Sequence, residues 1–414
     1  MRIWLLQIGE VLPIIPGERK GRTALLADQL VKRGHEVVWW ASAFDHNSKT
    51  WHCSYDKTFV LSDQYSIIAV KGCGYGKNIS LARMLDQRII AWKFPSKARL
   101  LPRPDMIVAS MPTYEGALEA VRFAKRNRIP ILVDLRDLWP DIFLDHFPRG
   151  FRTIGAWLLR HDFSMLRTVC RQADGLLSMS NGVLNWGLRY AGRPKRKEDN
   201  VFYLGCEKLP PENEVPRNKI HDLVPSLQGK FIATFIGAFN TYYDPRMIVE
   251  CAQACAGDDR IQFVLAGQGE LFEKVKAKAG NLRNVLLPGW LNRNEMATLF
   301  YHSHVGICPA ALDDENHVPM DSVPNKIFTY LAGGLPVISS LRGEMAELIA
   351  EEEIGANFDG VEGLRITLTS LVEDGRRYSR MRENAKAIFR ERFIAEKVYS
   401  AYAEHIERVA ADLR

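Results

Sequence analysis

The apolar run Arg2–Ile8 stops at Gly9 and predicts a buried strand. A loop rich in Pro and Gly (LPIIPGERKG) follows it. Leu25, Leu26 and Leu30 then recur at helical spacing, predicting a helix from about Thr23 to Arg33 that Gly34-His35 closes. Glu36–Ala41 reads as the next strand. The alternation continues with strands at Ser66–Val70, Met106–Ala109, Ile131–Asp134 and Gly175–Met179, and with helices at Gly116–Arg126, Phe151–Arg171 and Gly182–Tyr190. A polar, proline-bearing break, EKLPPENEVPRN, runs from Glu207 to Asn218, and after it the rhythm restarts. Strands are predicted at Phe231–Ile236, Gln262–Ala266, Val285–Leu287 and Val305–Cys308, with helices near Pro245–Cys255, Glu270–Ala279 and Arg293–His302. From Gly375 to Arg414 the pattern is almost wholly helical.

Strands separated by helices imply parallel sheets covered on both faces, with ligands beyond the carboxyl ends of the strands. The expected fold is α/β, two Rossmann-like doubly wound parallel-sheet domains with a C-terminal helical tail. Residues 1–206 would form the first domain, 207–230 a linker, 231–390 the second domain and 391–414 a closing helix able to pack back on the first. A chain of 414 residues is long for one core and suits two.

The stretch Val323–Ser340, VPNKIFTYLAGGLPVISS, is the most informative in the chain. Ser322 can cap a helix whose first turn holds Pro324. Ile327, Phe328 and Leu331 form its apolar stripe, Gly333-Gly334 ends it, and Val337-Ile338 restarts as strand. Lys326 falls in the first turn, where exposed N–H groups and the macrodipole favour an anion. A cation there is unfavourable for the helix alone and sensible if a phosphate sits between them. A solvated surface lysine is the alternative.

Composition narrows the classes. Hydrophobic residues make up 47% and charged residues 25%, as in ordinary globular proteins. Seven scattered cysteines without CxxC pairs read as reduced thiols. Cys251 and Cys255 lie one helical turn apart but lack further ligands at metal-binding spacing. No secretory signal is read, since Glu10 interrupts the apolar start, and the charge-free run Phe231–Tyr243 is too short to span a bilayer. These features suggest a soluble or peripheral protein.

In the second half each strand end is followed by residues suited to a nucleotide. Gly237 and Asn240 follow the first strand, Gly267, Gly269 and Glu270 the second, and Pro288-Gly289-Trp290 the third. Pro309 and the loop Asp313–Asp321 precede the Lys326 helix. Four consecutive strand ends of this kind are more specific than any one alone. A dinucleotide oxidoreductase fits poorly, because no GxGxxG follows the first strand with a ribose-binding acid about twenty residues on.

The order AGxGE, a P-G-W turn and then PNKIFxYLAxGLPVI resembles the second half of the GT-B glycosyltransferases. The likeness is to the family 4-like retaining enzymes that build bacterial polysaccharides, and within them to the amino-sugar transferase branch. GERKGRTALLADQLVKRGHEV resembles that family's opening loop and helix, and Asp134-Leu135-Arg136-Asp137-Leu138-Trp139-Pro140 its DxRDLWP segment. Ala173-Asp174-Gly175 through Ser178-Met179-Ser180 resembles its AD-x-x-x-x-x-S stretch.

The resemblance implies transfer of a sugar from a nucleotide diphosphate donor, usually UDP-linked, with retention and without an essential metal or other cofactor. The donor would occupy the second domain and a glycan or lipid-linked acceptor the first. It implies Lys326, Arg136 and Asp137 as catalytic residues, and Gly237, Asn240, Gly267, Gly269, Glu270, Pro288, Asp321, Asn325 and Thr329 as donor contacts. It also implies cell-surface polysaccharide, lipopolysaccharide or capsule synthesis on the cytoplasmic side.

Departures from the family pattern keep alternatives open. Asp321 and Thr329 stand where two glutamates are usual. Thr329 keeps alive a catalytically weakened protein that binds nucleotide sugar or a partner enzyme. Arg136 replaces a common histidine and either clamps a phosphate or carboxylate or pairs internally with Asp134 or Asp137. Asn240 and Arg246 stand where relatives carry a basic pair. Glu270 and Glu344 are either donor contacts or first-turn and solvated helix charges, and Lys20 and Gly21 either touch ligand or sit in a surface loop.

The net charge of +6 is modest, but its placement is telling. Trp92–Arg103 mixes basic and aromatic residues, including Lys93, Lys97 and Arg99. Arg152, Arg160, Arg167 and Arg171 flank Trp157, Leu158 and Leu159. Either these segments meet an anionic membrane surface or their apolar residues pack in the core. Nucleic acid is not an expected partner, because no binding module or dense basic stripe is present.

Overall fold

The computed structural model describes residues 1–14, 20–78, 80–144, 147–310 and 322–413. The chain divides into two compact units, Met1–Tyr203 with Val398–Arg414, and Leu204–Lys397.

The first unit is built on strands β1 (Arg2–Leu6), β2 (Glu36–Ser42), β3 (Lys57–Ser62), β4 (Tyr65–Val70), β5 (Met106–Met111), β6 (Ile131–Leu135), β7 (Gly175–Ser178) and β8 (Asn200–Val201). They form one sheet in the order β3-β4-β2-β1-β5-β6-β7-β8, parallel throughout except for β3, which runs antiparallel to β4. Every residue of β5 is buried, as expected of a central parallel strand. Trp4, Trp40, Phe94 and Phe123 centre the core, with the Trp40 and Phe94 rings 4.9 Å apart edge to face.

Two elements depart from the sequence pattern. The helix Leu81–Ala98 is not foreshadowed, because apolar residues occupy both of its sides and Pro95 lies within it. Ile90 and Phe94 face the core while Leu81, Leu85 and Trp92 face solvent. The expected single helix Phe151–Arg171 is two helices, Arg152–Leu158 and Arg160–Gln172. Trp157 and Leu158 on the first of these are exposed, so core packing does not account for them.

The C-terminal helix Ala395–Asp412 supplies the first unit's last side chains. The Phe202 and Tyr402 rings stack at 4.5 Å and 6°. His405 Nε2 meets the Glu198 carbonyl at 2.9 Å, and Arg33 Nε donates to Glu407 at 2.8 Å.

The second unit carries β9 (Phe231–Ala238), β10 (Ile261–Gln268), β11 (Val285–Gly289), β12 (Val305–Cys308), β13 (Val337–Ser339) and β14 (Gly355–Asn357). All neighbours are parallel, in the order β11-β10-β9-β12-β13-β14. The chain lays β10 and β11 on one side of β9, then crosses to place β12 on the other. The gap between β9 and β12 is therefore the sheet's topological switch point, where open α/β sheets take their ligands.

Residues 207–230, read above as a linker, are packed onto this unit. Ile220 is fully buried and Asn218 Nδ2 donates to Thr298 Oγ1 at 2.9 Å.

Candidate functional site

Lys326 is the second residue of the helix Asn325–Ala332, which buries Ile327, Phe328, Thr329, Tyr330 and Leu331. Pro324, not Ser322, is the N-cap, and no side chain caps the helix. Ser322 Oγ shares a hydrogen bond of 2.9 Å with the Tyr243 hydroxyl instead. Within the first turn the Ile327 amide donates to the Pro324 carbonyl at 3.1 Å.

The Lys326 ammonium reaches toward the β9/β12 switch point. Its Nζ lies 4.0 Å from the centre of the Phe235 ring and 4.5 Å from that of Tyr243. It is shielded from solvent and has no hydrogen-bond partner among the described residues. Burial lowers its pKa to about 8, with the Cys308 thiol acting in the opposite sense. Cys308 is itself pushed up to about 11 by burial, with Lys326 pulling it down. The two aromatic faces offset part of the cost of enclosing a cation, about 1–2 kcal/mol. They cannot accept its three N–H bonds. An oxyanion would complete this arrangement.

Backbone closeness shapes the floor. Gly237 and Gly267 pair across β9 and β10 at φ of 131° and 153°. A Cβ on Gly267 would stand 1.8 Å from the Gly237 oxygen, and one on Gly237 would meet Lys326 Nζ at 3.5 Å. Gly269 also approaches Phe239 closely, its added Cβ falling 2.5 Å from the Phe239 oxygen. The strands run on through Gly237 and Gly267, two residues beyond the ends expected from sequence.

Tyr330 fixes the geometry. It is fully buried one helical turn after Lys326. Its hydroxyl accepts from Ile236 N at 3.0 Å and donates to Ile307 O at 2.9 Å. The strands pair only as far as Thr234 and Gly306. Tyr330 bridges them where they part, and so holds the helix that aims Lys326.

The other expected residues fall into distinct places. Asn240 Oδ1 accepts from Tyr243 N at 2.9 Å, so it orders the turn that presents the Tyr243 ring. Arg246 Nε donates to Asp244 at 2.7 Å. Glu270 is exposed and precedes its helix, which runs Phe272–Ala279 rather than starting at residue 270. Pro288 lies in β11 and its carbonyl accepts from Lys219 Nζ at 3.1 Å. Asn325 is exposed at the helix start, and its carbonyl accepts from the buried Thr329 hydroxyl at 3.0 Å. Glu344 opens the helix Glu344–Glu351. Asp321 and the loop 311–321 lie outside the described residues.

In the first unit, Arg136 is held in a buried ionic network. It donates from Nε to Asp134 at 2.9 Å, from NH1 to Glu10 at 2.7 Å and from NH2 to Thr23 Oγ1 at 2.9 Å. Arg22 grips the same Asp134 bidentately at 3.0 and 3.1 Å. Burial alone would raise the Asp134 carboxyl, but the two guanidinium groups hold it below the usual range. Of the two alternatives for Arg136, the structure shows the internal pair.

Asp137 is pushed up by burial and accepts from Leu138 N at 2.9 Å. Lys20 pairs with Asp28, and Gly21 is the N-cap of the helix Arg22–Lys32. Glu10 accepts from Thr23 N at 2.8 Å and so occupies that helix N-terminus. Sequence reasoning passed over Glu10, Arg22 and Tyr330. Tyr330's spacing from Lys326 was a usable signal, whereas nothing local marks Arg22 and Glu10 as partners of residues more than a hundred positions away. Among the described residues no three His, Cys, Asp or Glu side chains gather as metal ligands.

Residues 217–388 match the sequence family described as Glycosyl transferases group 1. No curated protein matches the chain by sequence. Among solved structures, the chain is similar to Anabaena HepE in complex with UDP and glucose, with a TM-score of 0.68, 16% identity and coverage of 99% of this chain and 100% of that one. Sucrose-phosphate synthase from Thermosynechococcus elongatus gives a TM-score of 0.72 at 14% identity, covering 99% of each chain. WaaG, a glycosyltransferase involved in lipopolysaccharide biosynthesis, gives 0.66 at 12% identity, covering 98% of this chain and 99% of that one. The sequence match supports a glycosyltransferase, and the two parallel-sheet α/β units have the GT-B fold.

Proposed function

We propose that this protein is a GT-B glycosyltransferase that binds the diphosphate of a UDP-linked sugar at the β9/β12 switch point. The observation that carries this reading is the enclosed ammonium of Lys326 in the first turn of its helix, unpartnered among the described residues. In the reaction, the bond between the anomeric carbon and the diphosphate oxygen breaks and negative charge grows on the leaving diphosphate. Lys326 and the first turn of its helix are already oriented to receive that charge, which is the efficient form of electrostatic catalysis. Phe235, Tyr243 and the β9–β10 glycines exclude water and let backbone approach the ligand. The charge is neutralised by the protein itself, without a metal ion or other cofactor.

The finer reading is that of the family 4-like resemblance. It comprises retention at the anomeric carbon, a hexosyl or N-acetylhexosaminyl donor, and a glycan or lipid-linked acceptor of cell-surface polysaccharide synthesis at the inner face of the cytoplasmic membrane. The UDP- and UDP-glucose-bound Anabaena structures support the choice of nucleotide. Nucleotide-sugar binding without turnover is a second reading, favoured by Thr329, whose hydroxyl is spent on the Asn325 carbonyl.

A thermal-shift panel of UDP, UDP-sugars and NAD tests the site. Stabilisation by UDP that Lys326→Met abolishes is expected, and stabilisation equal in both proteins overturns the assignment. UDP release with acceptor separates the enzyme from the binding protein, and the anomer formed decides retention.

A further inference from the structure

We infer that the first unit docks on an anionic lipid bilayer through one face, made by the helix Leu81–Ala98 and the helix pair Arg152–Leu158 and Arg160–Gln172. Nine of the sixteen large apolar side chains exposed among the described residues lie in residues 81–100 and 151–158. So uneven a distribution is not the ordinary scatter of surface apolar residues. Leu81, Leu85, Arg88, Trp92 and Arg99 share one stripe of the first helix at helical spacing. Leu81 is 83% exposed, Trp92 81% and Trp157 62%.

A groove of about 590 Å³ runs from the helix Leu81–Ala98 to the helix Arg160–Gln172. Arg88, Trp92 and Arg99 line one wall, Glu115 and Arg122 the floor, and His161 the other wall. His161 follows Arg160, whose guanidinium lies 4.4 Å over the Trp157 ring. Trp92 thus lines the groove itself, and Trp157 lies against Arg160, the sequence neighbour of His161 on the opposite wall.

Charge selects the occupant. Arg88 and Arg99 are exposed beside Trp92 and Arg160 beside Trp157, while Asp86 on the first helix is buried. The groove's own acids are met by arginines, Glu115 by Arg88 at 3.4 Å and Glu119 by Arg122 at 2.6 Å. Lys93 and Lys97 are turned onto Asp56, at 3.3 and 2.9 Å, so they are not the membrane contacts that their sequence neighbourhood suggested. Tryptophan and leucine beside arginine suit the headgroup–acyl boundary, where the rings and chains insert and the guanidinium groups stay with anionic headgroups. No described helix is long and apolar enough to cross a membrane, so the contact is peripheral. The inference rests on the first unit alone and is independent of the donor site.

The test is co-sedimentation of the whole protein with phosphatidylcholine vesicles containing about 30% phosphatidylglycerol, against phosphatidylcholine alone. The variant carries Leu85→Glu, Trp92→Glu and Trp157→Glu together. All three positions are exposed, and unchanged thermal unfolding and UDP affinity confirm that the variant is folded. The parent should partition into the anionic vesicles at least about tenfold better than into neutral ones, less so in high salt, and the variant should lose at least about tenfold. Equal partitioning of parent and variant overturns the proposal. So does a parent that ignores anionic vesicles, or one that forms a dimer which the variant breaks, since a second copy would then cover the face. UDP affinity is read without vesicles, so failure here leaves the donor reading standing, and the reverse.

Discussion

Gly306 and the Tyr330 ring are in such close contact that a Cβ on the glycine would stand 2.2 Å from the ring's Cγ. This lets the phenol lie flat under the splayed ends of β9 and β12. Tyr330→Phe should leave the Ile236 N–H and the Ile307 carbonyl unpaired inside the protein, lowering stability by about 2–4 kcal/mol. Denaturant unfolding measures that loss, and UDP affinity should fall with it because the Lys326 helix loses its anchor. Gly306→Ala should be at least as damaging, since a ring cannot yield by 1–2 Å in a packed core.

Lys326→Met should separate activity from stability. Turnover of a UDP-sugar should drop about 100- to 1000-fold through the lost charge. The free protein should melt no lower than the parent, because an enclosed, unpaired cation has been replaced by an apolar chain of similar length. Calorimetry of both proteins with and without UDP reads both effects.

The lowered Lys326 pKa sets a pH dependence. Its value in the folded protein, about 8, lies below the ordinary 10.5. The unfolded chain therefore binds more protons between these limits, and the free protein gains stability as pH rises through that window. An anionic ligand prefers the charged form, so UDP affinity should be flat below pH 8 and fall above it. Binding near pH 9 should take up a proton, which titration calorimetry in buffers of different ionisation heat reveals.

Arg136→Ala should behave as a folding defect. It strips one of two cations from Asp134 and one from Glu10, in a buried network where breaking a pair costs about 3–5 kcal/mol. Because the Asp134 carboxyl is held low, its contribution is present above the ordinary aspartate pKa and is lost as pH falls through the depressed value. The parent should therefore start from higher stability at neutral pH and lose it more steeply than the variant as pH falls through that range. Arg136→Lys should not restore the parent's stability, since an ammonium cannot span Asp134, Glu10 and Thr23 at once.

The alternating sheets were readable because central parallel strands are apolar throughout and end at glycine or proline. Lys326 and the paired glycines were readable because each breaks a local rule at a strand or helix end. The helix Leu81–Ala98 was not, since Leu81, Leu85 and Trp92 on its outer side erase the one-sided stripe that marks a helix. Strand β3 was missed because it is an antiparallel edge with most of its residues exposed. Glu10 and Arg22 earn their roles only through partners such as Asp134 and Arg136, far along the chain. Thr329, expected as a donor contact, is buried, with its hydroxyl donating to the Asn325 carbonyl.

The return of Val398–Arg414 to the first unit bears on how the protein is made. Tyr402, which stacks on Phe202 and lies 5.1 Å beneath the Arg22 guanidinium, is synthesised after all of residues 204–397. Residues 1–203 can close their core only after the helix Ala395–Asp412 has emerged, while residues 204–397 have their partners earlier. Folding intermediates on the ribosome should therefore be ordered in the middle of the chain before its amino-terminal unit is complete.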